Sequence, residues 1–337
     1  MADKICKEIR LKNRPVGLPS ESDFEVAEVA VPEAGDGEML VQNIYLSVDP
    51  YMRGRMNDRK SYAPPFQLDQ PLEGACVGRV VESKNRQFQV GDFVLGLLSW
   101  REYFISDGKG IFKIDPVLAP IQAYLGTAGM PGRTAYHGLL EVGKPQEGET
   151  VFVSAAAGAV GSIVCQIAKL KGCNVVGSAG SDEKVDWLLQ EAGVDAAFNY
   201  KKVGDVIAEV GQQCPKGIDV YFENVGGVHL EAAIRHMNQF GRIAMCGMIS
   251  MYNATEPVPG PSNLPNIIGK RLTVQGFLVG DYNDKMLQFY ADMGKWIAEG
   301  KIKWKETIID GLENAPKAFI GLFKGENFGK MIVKVGD

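Results

Sequence analysis

The spacing of hydrophobic and polar residues divides the chain into two parts. In the first part, short apolar segments such as 39–45, 76–81 and 93–97 are separated by Gly and Pro. Short strands with frequent turn residues are typical of an all-β, barrel-like domain. The pattern therefore predicts a β domain at the start of the chain.

A second pattern begins near Thr150, where apolar strands alternate with segments of helical spacing. Val151–Ser154 predicts a buried strand, and apolar residues from Val160 to Ala168 then recur at helical intervals until Gly172. Alternation of strand and helix predicts βαβ units around a parallel sheet. Further strands are predicted at 174–179, 196–199, 218–223, 242–246 and 272–278, and a helix is predicted at Asp284–Glu299.

The end of the chain has the character of the first part. The helical pattern at Asp284–Glu299 precedes a mixed segment that contains the strand-like Lys330–Val335. We therefore predict an α/β protein with two domains. Residues 1–125, joined by 300–337, form the β domain, and residues 126–299 form the domain with a doubly wound parallel sheet.

A loop of small residues lies between the first predicted strand and helix of the second domain. Residues 155–161 fit the pattern G-x-G-x-x-G, with Ala156 in the first glycine position. Gly158 allows the backbone to approach a pyrophosphate, Gly161 allows close packing of helix and strand, and the helix N-terminus offers N–H groups to the anion. The loop predicts dinucleotide binding, and the alternative is a merely tight strand-to-helix turn.

The end of the next predicted strand indicates which dinucleotide is bound. An NAD enzyme places Asp or Glu there to hold the ribose 2′-hydroxyl, but residues 176–180 contain no acid. Ser181 is a candidate helix N-cap, and Lys184 follows one turn later. A cation in place of the carboxylate favours a 2′-phosphate, and hence NADPH. The alternative is that Lys184 is an ordinary surface lysine, since Asp182 and Glu183 lie beside it.

Composition and charge exclude several classes of protein. The net charge is −5, from 36 basic and 41 acidic residues, so we expect neither a nucleic-acid nor a membrane partner. The N-terminal residues lack the apolar stretch of a signal peptide, and no later run is long enough to span a membrane. The six cysteines are scattered, without a C-x-x-C pair. We therefore expect a cytoplasmic protein with reduced cysteines.

Several segments together resemble one family of enzymes. The sequence is similar to the prostaglandin reductase and NADP-dependent alkenal double-bond reductase branch of the zinc-free medium-chain dehydrogenases. This resemblance implies a GroES-like β-barrel catalytic domain, a Rossmann domain, a cofactor cleft between them, and a homodimer. The segments that carry it are 47–56 (SVDPYMRGRM), 90–92 (VGD), 155–162 (AAAGAVGS), 198–201 (FNYK), 223–227 (ENVGG) and 246–252 (CGMISMY).

The resemblance also implies roles for individual residues around NADP(H). Asp281 and Tyr282 occupy positions where relatives vary, which leaves the rim of the substrate site undefined. The implied cofactor residues are Gly158, Ala159, Val160 and Gly161 on the pyrophosphate, Lys184 and Tyr200 on the adenosine phosphate, Asn224, Cys246, Gly247, Met248, Ile249, Ser250, Met251 and Tyr252 around the ribose and nicotinamide, and Phe277, Leu278, Val279 and Asn327 over the nicotinamide side.

A catalytic metal is not predicted. Zinc-dependent relatives need a Cys ligand and a His-Glu pair, but the corresponding stretch, Pro71–Ala75, contains no histidine. The three histidines, His137, His229 and His236, fall in predicted helices, where we interpret them as packing or surface residues.

Without a metal, hydride transfer needs an acceptor whose electrons can move onto an oxygen. The conjugated carbonyl of an enone or enal meets this need, because hydride enters at the β-carbon and an enolate forms. Tyr252 is the candidate hydrogen-bond donor to that oxygen, and Tyr51 is the candidate residue that positions the substrate. The alternatives are a ribose or loop-packing role for Tyr252 and packing at the barrel edge for Tyr51.

Two other functions remain open from the sequence. A quinone reductase would use the same fold and the same cofactor. A catalytically silent cofactor-binding protein would keep the glycine loop but would not need the two tyrosines. Assays with enones and with quinones distinguish these hypotheses.

Overall fold

The computed structural model describes residues 4–336 of the 337-residue chain. Its strands are β1 Ile5–Leu11, β2 Phe24–Ala30, β3 Met39–Ser47, β4 Cys76–Ser83, β5 Phe93–Gly96, β6 Tyr103–Ser106, β7 Phe112–Lys113, β8 Thr150–Val153, β9 Asn174–Ala179, β10 Ala196–Asn199, β11 Ile218–Glu223, β12 Met237–Met245, β13 Thr273–Gly276, β14 Glu306–Asp310 and β15 Lys330–Lys334. Its α-helices are α1 Met52–Arg55, α2 Met130–His137, α3 Gly161–Leu170, α4 Asp182–Gln190, α5 Val206–Gln213, α6 Gly227–His236, α7 Pro265–Lys270, α8 Met286–Ala298 and α9 Ala315–Lys324.

The chain divides into two compact units. Unit 1 comprises Met1–Gly126 and Glu306–Asp337, and unit 2 comprises Thr127–Lys305. The sequence places the second boundary earlier, after residue 299. Residues 300–305 belong to unit 2 because the Gln166 side chain on α3 exchanges two hydrogen bonds with the backbone of Lys303, at 2.7 and 2.8 Å. Residues 1–3 and 337 of the predicted β domain lie outside the described residues.

Unit 2 is built around a six-stranded parallel sheet. Its strand order is β10-β9-β8-β11-β12-β13, which is the doubly wound order that runs outward in both directions from the first strand. The central strand β8 is buried along its whole length, because both of its faces are covered, as is usual for a parallel sheet. The predicted fold class, with its parallel sheet in the second domain, is confirmed.

The predicted strands of unit 2 agree closely with the structure. Three of them, β9, β10 and β11, have the predicted bounds. Strand β12 begins earlier than predicted, at Met237, and its pairing with β11 is irregular near Phe240, which has a φ of +64°. The exposed Phe240 interrupts the buried pattern, so the sequence indicated only the regular part of this strand from Arg242.

Unit 1 contains a seven-stranded sheet and a separate antiparallel pair, β1-β2. The large sheet has the order β14-β15-β3-β4-β5-β7, and β6 also pairs with β3. Strand β15 is antiparallel to β3, with Ile332 opposite Ser47. The last strand of the chain therefore lies within the sheet formed by the first part. An aromatic cluster of Phe24, Trp100 and Phe319, with ring centroids 5.8 to 6.4 Å apart, forms part of the core.

Within residues 4–336, none of the helices combines the length and the apolar character needed to cross a lipid bilayer.

Candidate cofactor and active site

The carboxyl ends of β8 and β11 form the point where the strand order of unit 2 reverses direction. These two strands are neighbours, and Val153 lies opposite Phe222. In open α/β sheets, ligands bind beyond the carboxyl ends of the strands at this switch point. Ser154 follows β8 and Glu223 ends β11, and both side chains are fully buried. The candidate site of unit 2 is therefore located at this edge.

The glycine loop lies directly after β8. It turns at Ala155, which has a φ of +49°, and α3 begins at Gly161. A Cβ atom on Gly161 would lie 2.3 Å from the carbonyl oxygen of Ala155, and one on Gly158 would lie 3.2 Å from the same oxygen. The loop therefore has space for glycine only at its tightest point, and its small residues leave the helix N-terminus open to an anion. These residues fit the pyrophosphate of a dinucleotide.

A second part of the site lies at the carboxyl ends of β9 and β10. Ser181 is the N-cap of α4, as predicted, and its hydroxyl accepts a hydrogen bond from the backbone N–H of Lys184 at 3.4 Å. A Cβ atom on Gly180 would lie 3.3 Å from the Tyr200 hydroxyl and 3.4 Å from Cε of Lys201. The small Gly180 therefore makes room for both side chains.

The charges in this region suit an anion. Burial and the neighbouring Lys201 ammonium group both lower the pKa of Lys184. The carboxylate of Asp182 is paired with Lys202 instead. Two cations held close together fit a phosphate such as the 2′-phosphate of NADP(H), which would offset their mutual repulsion.

The segment Cys246–Tyr252 is attached to the end of β11. The backbone N–H groups of Cys246 and Gly247 both donate to the carbonyl oxygen of Glu223, at 3.0 Å, and Ile249 N–H donates to Asn224 at 3.2 Å. The Asn224 side chain donates in turn to the carbonyl oxygen of Ser154 at 2.8 Å. The structure thus brings together Asn224 and the segment Cys246–Tyr252, and Phe277 follows β13 at the same edge, because Gly276 lies opposite Met245. Asn327 belongs to unit 1.

The environments of Cys246 and Tyr252 determine which chemical roles these two side chains can have. Burial, with the nearby Glu223 carboxylate, raises the pKa of Cys246 to about 12, so its thiol is not a nucleophile at neutral pH. The Tyr252 hydroxyl lies 3.4 Å from the backbone N–H of Met248, from which it accepts a hydrogen bond. This contact closes the loop, and a donor role for Tyr252 is compatible with it because the oxygen is the acceptor there.

Phe277 packs beside a distorted helical segment of unit 2. Its ring contacts Phe222 edge-on, with centroids 6.2 Å apart. A Cβ atom on Gly138 would lie only 2.3 Å from Cζ of Phe277. Gly138 starts the π-helical turn Gly138–Gly143, and such turns are often found at functional sites. Gly138 therefore fixes the position of Phe277, while the adjoining Leu278 is exposed and Val279 is half-buried.

Tyr51 lies in unit 1, where it is the N-cap residue of the short helix α1. Its ring is half-buried. Burial and the neighbouring Asp49 carboxylate both raise the pKa of Tyr51, so the hydroxyl stays protonated at neutral pH. Its environment is therefore suited to donating a hydrogen bond.

Asp49, two positions before Tyr51, is fixed by a buried ion pair with Lys330. Asp49 accepts from Lys330 Nζ at 2.9 Å and from the Ser47 hydroxyl at 2.5 Å, and Lys330 also donates to the carbonyl oxygen of Val48. Asp49 and Lys330 are only 4% and 5% exposed. Asn327 lies just before β15, where its side chain donates to the carbonyl oxygen of Gly329 at 2.8 Å.

The histidines and cysteines have the structural positions that the sequence predicts. His137 ends α2, and His229 and His236 lie on α6. All six cysteines are free. Among the described residues, no three His, Cys, Asp or Glu side chains lie close enough together to hold a metal ion.

Four residues of these sites are given no role by the sequence, although Lys201 and Glu223 lie in segments that carry the family resemblance: Ser154, Lys201, Glu223 and Lys330. Two of them carried a signal. Glu223 is an acid at the end of the apolar strand 218–223, and Lys330 is a lysine that opens the apolar strand 330–335. A charged residue in a strand predicted to be buried needs a partner. The sequence does not reveal which partner it has.

Comparisons with protein families give one consistent result. A family model described as the N-terminal domain of oxidoreductase matches residues 7–114, and one described as zinc-binding dehydrogenase matches residues 159–296.

Similar proteins match the chain over almost its whole length. The chain is 50% identical to prostaglandin reductase 1 of Bos taurus, with 98% of this chain and 99% of that protein covered. It is 47% identical to a 2-alkenal reductase (NADP(+)-dependent) of Nicotiana tabacum, with 99% of each covered. The crystal structure of CurA in complex with NADPH from Vibrio vulnificus is 45% identical, with a TM-score of 0.93 over 98% of this chain and 99% of that one.

Proposed function

Because this chain belongs to the zinc-free medium-chain dehydrogenase/reductase family of the prostaglandin and alkenal reductases, we propose that it uses NADPH to reduce the carbon–carbon double bond of α,β-unsaturated aldehydes and ketones. The observation that carries the proposal is the similarity over nearly the full length to enzymes named for this activity. The carboxyl edge of the parallel sheet in unit 2 supports the choice of cofactor, because it carries the glycine loop and two neighbouring lysines, Lys184 and Lys201.

The proposal assigns the binding of NADP(H) to unit 2. Gly158–Gly161 hold the pyrophosphate, since these small residues lie at the N-terminus of α3, where backbone N–H groups can face an anion. Lys184 and Tyr200 hold the adenosine 2′-phosphate. Asn224 and Cys246–Tyr252 hold the ribose and nicotinamide, and Phe277–Val279 line the nicotinamide side. When bound, NADPH supplies the hydride.

The protein's own contribution to the reaction is to orient the substrate and to stabilise negative charge on its carbonyl oxygen. Charge builds on that oxygen as the β-carbon is reduced, so a donor fixed beside it lowers the barrier. Tyr252 is assigned this donor role, and Tyr51 is assigned the positioning of the substrate in unit 1. The raised pKa of Tyr51, caused by burial and by Asp49, favours the neutral hydroxyl that this task needs. Asn327 is assigned to the nicotinamide side.

The test is oxidation of NADPH in the presence of a panel of acceptors. Enals, enones and 15-keto lipids should be reduced at the double bond, and NADPH deuterated at the reactive carbon should place deuterium on the β-carbon. Turnover confined to quinones would identify a quinone reductase instead. Binding of NADPH without turnover of any acceptor would identify a cofactor-binding protein that lacks activity.

The proposal includes a homodimer and a cytoplasmic location. The edge strand β13 is exposed at every position. An open edge strand is a template for pairing, and Val274 on β13 is an exposed apolar side chain, which supports a second copy of the chain against this edge. Sedimentation of wild type and of Val274→Lys tests the dimer. Cell fractionation tests the location.

A further inference from the structure

Unit 2 contains a buried polar cluster at the base of the proposed nicotinamide loop. We propose that Glu223, together with Ser154, is a positioning residue that holds the Asn224 turn and the Cys246–Tyr252 loop in the shape that receives the ribose and nicotinamide. This inference rests on the proposed function. It concerns residues that touch neither the substrate nor the cofactor in the roles assigned above.

Ser154 is the centre of the cluster. Its hydroxyl oxygen accepts from the backbone N–H of Asn224 at 2.9 Å and from the Tyr221 hydroxyl at 3.0 Å, and its own proton is donated to Oε1 of Glu223 at 3.1 Å. Ser154 is also the residue that joins β8 to the glycine loop. It therefore connects the pyrophosphate loop with the Asn224 turn through one side chain.

Glu223 fixes the other side of the same turn. Its Oε1 accepts from the backbone N–H groups of Val225 at 2.6 Å and Gly226 at 2.8 Å. The chain there adopts positive φ values, +77° at Gly226 and +55° at Gly227, the first residue of α6. A carboxyl group that receives these N–H groups stabilises a turn that the backbone would otherwise hold only weakly.

The Asn224 turn also supports the Cys246–Tyr252 loop. Carbonyl oxygens of Glu223, Asn224 and Val225 accept backbone hydrogen bonds from the segment Cys246–Ser250, and the Ser250 hydroxyl also donates to Val225 at 2.5 Å. A change in the direction of these carbonyl groups would move the loop. Positioning at the cofactor site is therefore transmitted by the backbone and does not require Glu223 to reach the ligand.

The second oxygen of Glu223 argues against a purely stabilising role. The Tyr221 hydroxyl is close enough to interact with the Glu223 carboxyl group, but it donates to Ser154 at 3.0 Å, and the buried Oε2 has no hydrogen-bond partner of good geometry among the described residues. A buried polar atom without a partner is destabilising. If Glu223 served stability alone, an apolar side chain of similar size would serve better. A side chain that must orient the N–H groups of Val225 and Gly226 needs an oxygen that accepts from both.

The same strand offers a matched control. Asp219 lies at the other end of β11, where its carboxylate accepts from the backbone N–H of Thr150 at 2.8 Å and from the Asn238 side chain at 2.7 Å. Both carboxyl groups connect β11 with the β8 side of the sheet: Asp219 accepts from the backbone N–H of Thr150, and Glu223 accepts from the Ser154 hydroxyl. Asp219 lies at the amino edge of the sheet, away from the candidate site.

The experiment compares two ligands by calorimetry. NADP⁺ reaches the nicotinamide loop, whereas 2′,5′-ADP contains the adenosine with its 2′- and 5′-phosphates and lacks the nicotinamide ribose and ring. Glu223→Leu and Ser154→Ala should each weaken NADP⁺ by about ten-fold, the effect of losing one buried hydrogen-bond network of about 1.4 kcal/mol. Neither should change the affinity for 2′,5′-ADP. Glu223→Gln keeps the accepting oxygen and should restore most of the affinity for NADP⁺, and Asp219→Leu should leave both ligands unaffected.

The possible outcomes separate this inference from the proposed function. If wild type binds neither ligand, the proposed function is wrong. If wild type binds both, and a folded Glu223→Leu or Ser154→Ala variant binds both as wild type does or loses both equally, the positioning role is wrong. Ser154→Ala decides the question if Glu223→Leu does not fold, since it removes a single oxygen.

Discussion

Each unit contains a buried carboxyl group beside its candidate functional residues, and the two are stabilised in different ways. Asp49 in unit 1 is paired with a buried cation, Lys330, and accepts from Ser47. Among the described residues, no cationic side chain forms an ion pair with Glu223 in unit 2, which accepts from backbone N–H groups and from the hydroxyl of Ser154. Unit 1 thus uses an ion pair to fix its chain, and unit 2 uses backbone N–H groups of the turn that precedes α6.

The cations of the two units differ in a corresponding way. Lys330 is committed to Asp49, whereas Lys184 lies beside Lys201, another cation. Unit 1 therefore balances its buried charge within the protein. Unit 2 gathers positive charge that a bound phosphate would balance. We expect mutations of the unit 1 pair to alter stability, and mutations of the unit 2 groups to alter ligand binding and turnover.

The largest effect is expected at the ion pair of unit 1. Lys330→Met leaves the Asp49 carboxylate buried without its cation, which typically costs about 3–5 kcal/mol of the free energy of unfolding. Urea unfolding followed by circular dichroism would measure this loss. The double variant Asp49→Asn with Lys330→Met should recover part of it, because the uncompensated charge is gone.

The matched control for that prediction is the exposed pair of Lys202 with Asp182. Lys202→Met should leave the stability unchanged, since exposed ion pairs contribute little. Equal stability losses in Lys330→Met and Lys202→Met would remove the distinction between the buried and exposed pairs.

A smaller loss, seen in binding, is expected at Lys184. Lys184→Ala should weaken NADPH by about ten- to a hundred-fold, since a hydrogen bond to a charged group is worth roughly 1.5–3 kcal/mol. NADH lacks the 2′-phosphate, so its affinity should change little. Fluorescence titration with both cofactors measures the ratio, and Lys202→Ala serves as the control. Equal weakening of NADPH and NADH would show that Lys184 does not contact the phosphate.

Tyr252→Phe should act on turnover and leave NADPH affinity nearly unchanged. Removal of a sole oxyanion donor costs about 100- to 1000-fold in rate, and sharing of the role with the ribose hydroxyl and solvent reduces the expected loss to about ten- to a hundred-fold. The loss should appear in kcat because the contact strengthens only as charge builds on the substrate oxygen. Wild-type turnover would restrict Tyr252 to closing the loop through Met248, and deuterium on the carbonyl carbon would indicate a carbonyl reductase.

The fold was largely predictable from the sequence because its periodic signals are local. The strands β9, β10 and β11 and the N-cap Ser181 follow directly from apolar spacing and capping preference. The start of β12 was missed because Phe240 is exposed there and the pairing with β11 is irregular. Burial patterns indicate regular strands and fail where the strand is bulged.

The partners of the buried charges could not be predicted. Lys330 and Asp49 are 281 positions apart, and the Tyr221 and Ser154 hydroxyls are 67 apart. Their contacts depend on sheet topology, which places β15 beside β3 and β11 beside β8. A motif reports residues that are close in the sequence, such as Gly158 and Gly161. A cluster assembled from separate strands leaves no such local pattern.

The smallest expected effect is a pH dependence that distinguishes Glu223 from an ion-paired carboxylate in the same unit. Burial raises the pKa of Glu223 above its usual value of 4.5, and the hydrogen bonds from Gly226 and Val225 offset this only in part. The folded protein therefore retains a proton that the unfolded chain has released. Stability from this group is fully present below pH 4.5, and it decreases as the pH rises through the folded pKa. Glu223→Gln cannot titrate, so the stability of wild type relative to this variant should fall with rising pH.

Glu149 provides the opposite case and the control for that slope. Burial acts to raise the pKa of Glu149, but the hydrogen bonds from Arg242 and from Gln146 N–H outweigh it and lower the pKa. Its stabilising contribution is present above the unfolded pKa of 4.5 and is lost as the pH falls through the folded pKa. The difference in free energy of unfolding between wild type and Glu149→Gln should therefore increase as the pH rises. Urea unfolding of the three proteins from pH 4 upward measures both slopes. Slopes of the same sign would mean that Glu223 is held as an anion, as a carboxylate with a cationic partner is, and would remove the contrast between the two ways of burying a carboxyl group.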